Sequence, residues 1–204
     1  MKVIRTIFLF FLLFFIGCEK NSYNEILHKA KTLNWYNDMV EAKEALELTR
    51  MAMAKKPKKW DAYSLELSIY SSWNHKSKDY SNNFNGIKSV YEKWLENGNK
   101  MSVLQKFGYA NTLYCLDDYG TANKLYLEVI EYYNENKEKL IDSEKDYICY
   151  MMSNIMLYDI SEKEFGKIKI DLYDKNQINE YVISEINNIG NEEKKNLAER
   201  YCNV

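Results

Sequence analysis

The chain has 204 residues, with 28 Lys+Arg against 30 Asp+Glu and both signs mixed along its length. A nucleic-acid partner wants a clustered basic face, and this distribution excludes it as an expectation. Seven glycines and a single proline supply too few turn-makers for a protein built from many hairpins, so composition points to helices.

Taken in chain order, residues 1–17 do not read as part of a fold. Lys2 and Arg5 give a short positive start, and residues 6–16 (Thr-Ile-Phe-Leu-Phe-Phe-Leu-Leu-Phe-Phe-Ile) carry no charge. As a helix that stretch rises about 16 Å, against a hydrocarbon core of about 30 Å, so it is too short to span a bilayer. A positive start, a brief apolar run and a small residue at its end are the features of a secretory signal.

Phe15-Ile16-Gly17-Cys18 resembles the lipobox of bacterial lipoproteins, although Phe15 stands where that family prefers Leu. The resemblance implies diacylglyceryl transfer to the Cys18 sulfur, cleavage before it and acylation of the new amino group. Residues 1–17 are then a signal peptide, 18–21 a lipidated tether and 22–204 a single helical domain. The expected location is the bacterial cell envelope, on an inner or outer membrane. Without Lys2 and Arg5 the basic count falls to 26, which against 30 acidic residues leaves a mature balance of −4.

Beyond the tether, capping boxes mark helix starts at Ser22-x-x-Glu25, Asp38-x-x-Glu41 and Ser161-x-x-Glu164. In each, an oxygen acceptor and a carboxylate three residues on satisfy otherwise orphaned N–H groups of the first turn. Pro57, Asn97-Gly98 and Gly190 mark stops. The spacing predicts helices over 22–35, 38–55, 58–73, 84–96, 100–116, 119–136, 143–158, 162–174 and 176–189, with a short one over 192–202. Residues 73–81 are read as a polar loop.

Within the second helix of each expected pair one stripe recurs: Ala42, Ala45, Thr49 and Ala52; Phe84, Ile87, Tyr91 and Trp94; Tyr119, Ala122, Tyr126 and Val129; then Phe165, Ile168 and Leu172. Steps of three and four keep such side chains on one face. With Tyr36, Pro57 and Phe107-Gly108, this pattern resembles tetratricopeptide repeats over most of residues 22–175. The repeat is irregular: Ala45, Ile87, Ala122 and Ile168 are separated by 42, 35 and 46 residues, where the family repeats at about 34. The expected fold is all-α, antiparallel helix pairs stacked as an α-solenoid, with a generic helical bundle as the alternative.

Chemistry is hard to assemble. His28 and His75 belong to no metal-binding spacing, there is no glycine-rich phosphate loop, and Asp171-x-x-Asp174-x-Asn176 lacks calcium-loop spacing. Asp117-Asp118 is read as N-capping the helix at 119. Besides Cys18 there are Cys115, Cys149 and Cys202; buried thiols are the expectation, and Cys115 with Cys149 the first pair to test. No catalytic residue, cofactor or metal is expected.

The resemblance instead implies a protein-interaction scaffold, with a protein or peptide bound in a groove lined by the first helix of each pair. Asn34, Tyr63, Tyr70 and Tyr109 are the candidate contacts, tyrosine offering large contact area at low entropic cost. The alternative function is a helical-bundle enzyme or small-molecule-binding lipoprotein, which requires a closed pocket with convergent polar groups.

Overall fold

The computed structural model describes residues 22–36, 39–77, 80–136, 144–158 and 202. Residues 1–17, Cys18, Gly190 and the expected helices over 162–174 and 176–189 lie outside them. The described residues form seven helices: α1 (Tyr23–Tyr36), α2 (Met39–Lys55), α3 (Trp60–Ser77), α4 (Tyr80–Glu96), α5 (Val103–Cys115), α6 (Tyr119–Asn136) and α7 (Glu144–Tyr158). The architecture is all-α and sequential, helices adjacent in the chain packing as antiparallel pairs.

The caps show why the helices begin and end where they do. At α1 the Ser22 N–H donates to Glu25 Oε2 at 2.6 Å and the Glu25 N–H donates to Ser22 Oγ at 3.3 Å, the box expected there. The equivalent boxes at Asp38 and Ser161 lie outside the described residues. A further box, Ser102-x-x-Gln105, starts α5, so that helix begins at Val103 rather than at 100. Gly98, with φ +72°, follows the end of α4 in the left-handed conformation that a glycine adopts without steric cost.

Two further boundaries depart from expectation. Trp73 to Ser77 continue α3, and α4 opens at Tyr80 rather than at 84. Residues 73–77 and 80–81 of the expected polar loop are therefore helical. The chain there contains neither glycine nor proline before Gly86, so polarity alone had no means of stopping the helix.

By packing, the chain divides into two compact units, with the boundary between Ile69 and Tyr70 inside α3. In the first unit, α1 lies on α2, and the small stripe of Ala42, Ala45, Thr49 and Ala52 is buried with Ile26, Ala30 and Ile69. Small side chains let helix backbones approach closely, and the Thr49 hydroxyl meets its hydrogen-bonding need locally, donating to the Leu46 carbonyl at 2.8 Å. Glu66 of α3 is buried and pairs with Arg50 of α2, Nε to Oε1 at 3.3 Å. Exposed Lys29 and Glu44 pair across α1 and α2 at 2.7 Å, a contact of small energetic weight in water.

In the second unit, α5 packs on α4 and α6, and α7 packs on both α5 and α6. Its core is aromatic. Tyr91 meets Tyr109 with ring centroids 5.1 Å apart, Phe107 meets Tyr126 at 6.1 Å, and Tyr133 stacks on Tyr150 at 4.4 Å. Burying such rings contributes about 1.5–3 kcal/mol each, with offset or edge contacts adding about 0.5–1.5 kcal/mol. Tyr126 also donates from its hydroxyl to Asn111 Oδ1 at 2.6 Å. Helix α7 buries Tyr147, Cys149, Met151, Ile155 and Met156, which spread over more than one of its faces.

Of the expected stripes, those of α2 and α4 are wholly buried, as are Ala122, Tyr126 and Val129 of α6. Tyr119 is the exception at 47% exposed. It is the first residue of α6, and its hydroxyl donates to Asp117 Oδ1 at 2.5 Å instead of entering the core.

Candidate functional site

The four expected contact residues do not share one environment. Asn34 lies near the C-terminal end of α1 and is half-buried. Tyr63 is fully buried at 0% exposed, its hydroxyl donating to the Pro57 carbonyl at 3.1 Å. That bond ties the start of α3 to the turn before it, so Tyr63 serves packing rather than a surface. Tyr109 is buried against Tyr91, and burial first, then the nearby Glu92 and Asp118 carboxylates, push its hydroxyl pKa up. Both were expected at a groove; in this structure both are core residues. A tyrosine on the first helix of a pair faces the next helix as readily as it faces solvent, and spacing alone does not separate the two.

Tyr70 differs. It is half-buried in α3, and its ring lies over Gly86 of α4, where an added Cβ would collide with the ring. Gly86 therefore forms the seat for this tyrosine. Gly108 plays a related part in α5: a Cβ there would stand 2.5 Å from the Tyr91 hydroxyl. Burial pushes the Tyr91 pKa up to about 12. These two glycines are places where an aromatic side chain comes against a helix backbone.

The turn between α5 and α6 is closed by hydrogen bonds from two successive aspartates. Asp117 has φ +61°, and its N–H donates to the Tyr114 carbonyl at 3.1 Å while the Asp118 N–H donates to the Leu113 carbonyl at 2.9 Å. This is a Schellman closure with aspartate at the left-handed position that glycine usually takes. Asp118 then N-caps α6, its Oδ1 accepting from the Thr121 N–H at 3.2 Å. The expected capping role thus belongs to Asp118, while Asp117 closes α5. The bond from Tyr119 to Asp117 raises the Tyr119 pKa.

The cysteines correct one expectation. Cys115, the last residue of α5, is disulfide-bonded to Cys202 with a Cα–Cα distance of 5.2 Å. Cys149 does not pair with Cys115; it is free and buried in α7, 2% exposed. Its thiol pKa is pushed up to about 12 by burial and then by Asp146, which makes it unreactive.

Among the described residues, no group of three or more His, Cys, Asp or Glu side chains comes together to hold a metal ion. Nor, among them, is any helix long and apolar enough to cross a membrane. No family model, no curated protein and no solved structure matches the chain.

Proposed function

We propose that this chain is an exported lipoprotein, held on a membrane of the bacterial cell envelope by lipid on Cys18, whose helical body is a non-enzymatic protein-interaction scaffold. The observation that carries the reading is the Gly17-Cys18 junction at the point where a short uncharged apolar run ends behind Lys2 and Arg5. One acyl chain gives only marginal membrane binding, whereas two or more hold a protein firmly, so such a body stays at a bilayer without crossing it.

The scaffold part is supported by the second unit. There α7 packs on both members of the preceding pair, α5 and α6, which is how successive helix pairs stack in a tetratricopeptide-like row. The buried small stripe of α2 supports the same reading in the first unit. With Tyr63 and Tyr109 in the core, the first-helix positions left for contact are Asn34 in one unit and Tyr70 in the other.

The test is fractionation of host cells making the native chain or Cys18→Ala, combined with photo-crosslinking from position 34 or 70 and from exposed Lys124 as a control. The proposal expects the native chain in the membrane fraction at high salt and Cys18→Ala released. It also expects a discrete adduct from position 34 or 70 that Lys124 does not give. A Cys18→Ala chain that stays on the membrane contradicts the anchor; identical adduct patterns from all three positions contradict the contact surfaces.

A further inference from the structure

The Cys115–Cys202 bond joins residues 87 apart in the chain and closes a loop that contains α6 and α7. Three cysteines allow three pairings, and the surroundings of each thiol select among them. Disulfides form by attack of a thiolate on a disulfide sulfur, so a cysteine needs both access and a thiolate fraction to take part. Cys115 and Cys202 are both half-buried and within reach of solution. Cys149 is shut inside α7, where burial holds its proton on. Their Cα separation of 5.2 Å lies inside the range an ordinary disulfide spans.

We propose that Cys115 and Cys202 form a lock set by compartment: both are thiols while the chain is in the cytosol, and they join after export, fixing Cys202 to the end of α5. For its oxidising setting the lock rests on the export reading of the N-terminus; it does not depend on lipid. Disulfides persist in oxidising compartments and are kept reduced in the cytosol.

The oxidant is a disulfide-bearing partner, either an envelope thiol–disulfide oxidoreductase or a low-molecular-weight disulfide. The thiolate of one cysteine attacks a sulfur of that disulfide, breaking its S–S bond and releasing one oxidant thiolate. The thiolate of the other cysteine then attacks the chain sulfur of the mixed disulfide. This forms the Cys115–Cys202 bond and expels the second oxidant thiolate. The two thiol protons pass through solvent to the two released thiolates, and the oxidant gains two electrons. Cys149, with neither access nor a thiolate, stays out of the exchange.

Two measurements test the lock. In the host, thiols are trapped with N-ethylmaleimide before lysis, and the chain is mapped by mass spectrometry without reductant, separating molecules that still carry residues 1–17 from those that have lost them. Processed molecules are expected to show the Cys115–Cys202 peptide pair, and unprocessed ones the label on both cysteines. Processed molecules with both cysteines labelled overturn the lock and leave export standing. The disulfide in unprocessed molecules overturns its dependence on compartment.

Independently of export, the purified full chain is equilibrated in glutathione buffers. The oxidised form is expected to contain Cys115–Cys202 and to melt about 10 °C above the reduced form, with Cys149 labelled only after denaturation. Equal melting temperatures, or glutathione on Cys149 in the folded chain, overturn the proposal.

Discussion

The two compact units close their helices with different side chains. Around α2 of the first unit the buried stripe is Ala42, Ala45, Thr49 and Ala52, and the buried carboxylate of Glu66 pairs with Arg50 beside it. In the second unit, the corresponding stripe of α6 keeps Ala122 but replaces Thr49 with Tyr126 and Ala52 with Val129, and rings fill the space around it. One helical periodicity therefore serves two packing solutions. Small residues bring backbones together and leave no room to spare. In the second unit aromatics fill the space beside the small residues, each hydroxyl needing a partner or a position at the edge.

That difference is open to direct attack. The largest effect is expected at Tyr126→Ala, which empties a fully buried ring site and strands Asn111; it should cost about 4 kcal/mol in urea unfolding. Thr49→Ala, its counterpart in the first unit, should cost only about 1 kcal/mol. Similar losses at the two positions would break the contrast.

Next comes alkaline pH. Tyr91 has its folded pKa raised to about 12 by burial, against about 10 in an unfolded chain. A raised folded pKa contributes stability that is complete below pH 10 and disappears as pH climbs through 12. The loss attributable to this one group reaches about 2–3 kcal/mol. Denaturation midpoints measured from pH 9 to 12 should fall less steeply in Tyr91→Phe.

Ala45→Leu adds volume where helices already touch, and should cost about 2 kcal/mol, read as a lower urea midpoint. The smallest effect is expected at the α5–α6 turn. Asp117→Gly relaxes the left-handed backbone but loses the Tyr119 contact, so the melting temperature should move by no more than about 3 °C. Asp117→Val, with a branched side chain at the same φ, should lower it further.

Much of this fold is legible in residue order because its determinants are local. Ser22 and Glu25 sit three apart as a capping box must, Gly98 falls where α4 has to turn, and the α2 stripe follows the helical period. The Ser102-x-x-Gln105 box is equally local, and it starts α5 at Val103 where the spacing alone predicts 100. What local pattern does not carry is direction and distance. Tyr63 and Tyr109 have the spacing of groove residues, yet their rings turn inward because the pocket each fills is made by a neighbouring helix or turn. The pairing of Cys115 with Cys202 depends on the fold bringing together residues 87 apart, and no spacing rule selects it over Cys149. Of the four candidate contacts, Tyr63 and Tyr109 are buried and Asn34 and Tyr70 are half-buried.

The proposed envelope scaffold rests on the chemistry of Cys18, and intact-mass and N-terminal peptide analysis of the chain purified from its own host tests it most directly. The account predicts a mature protein whose first residue is Cys18, carrying the mass of a diacylglyceryl thioether. A first residue at any other position, or a Cys18 with a bare thiol, would contradict it.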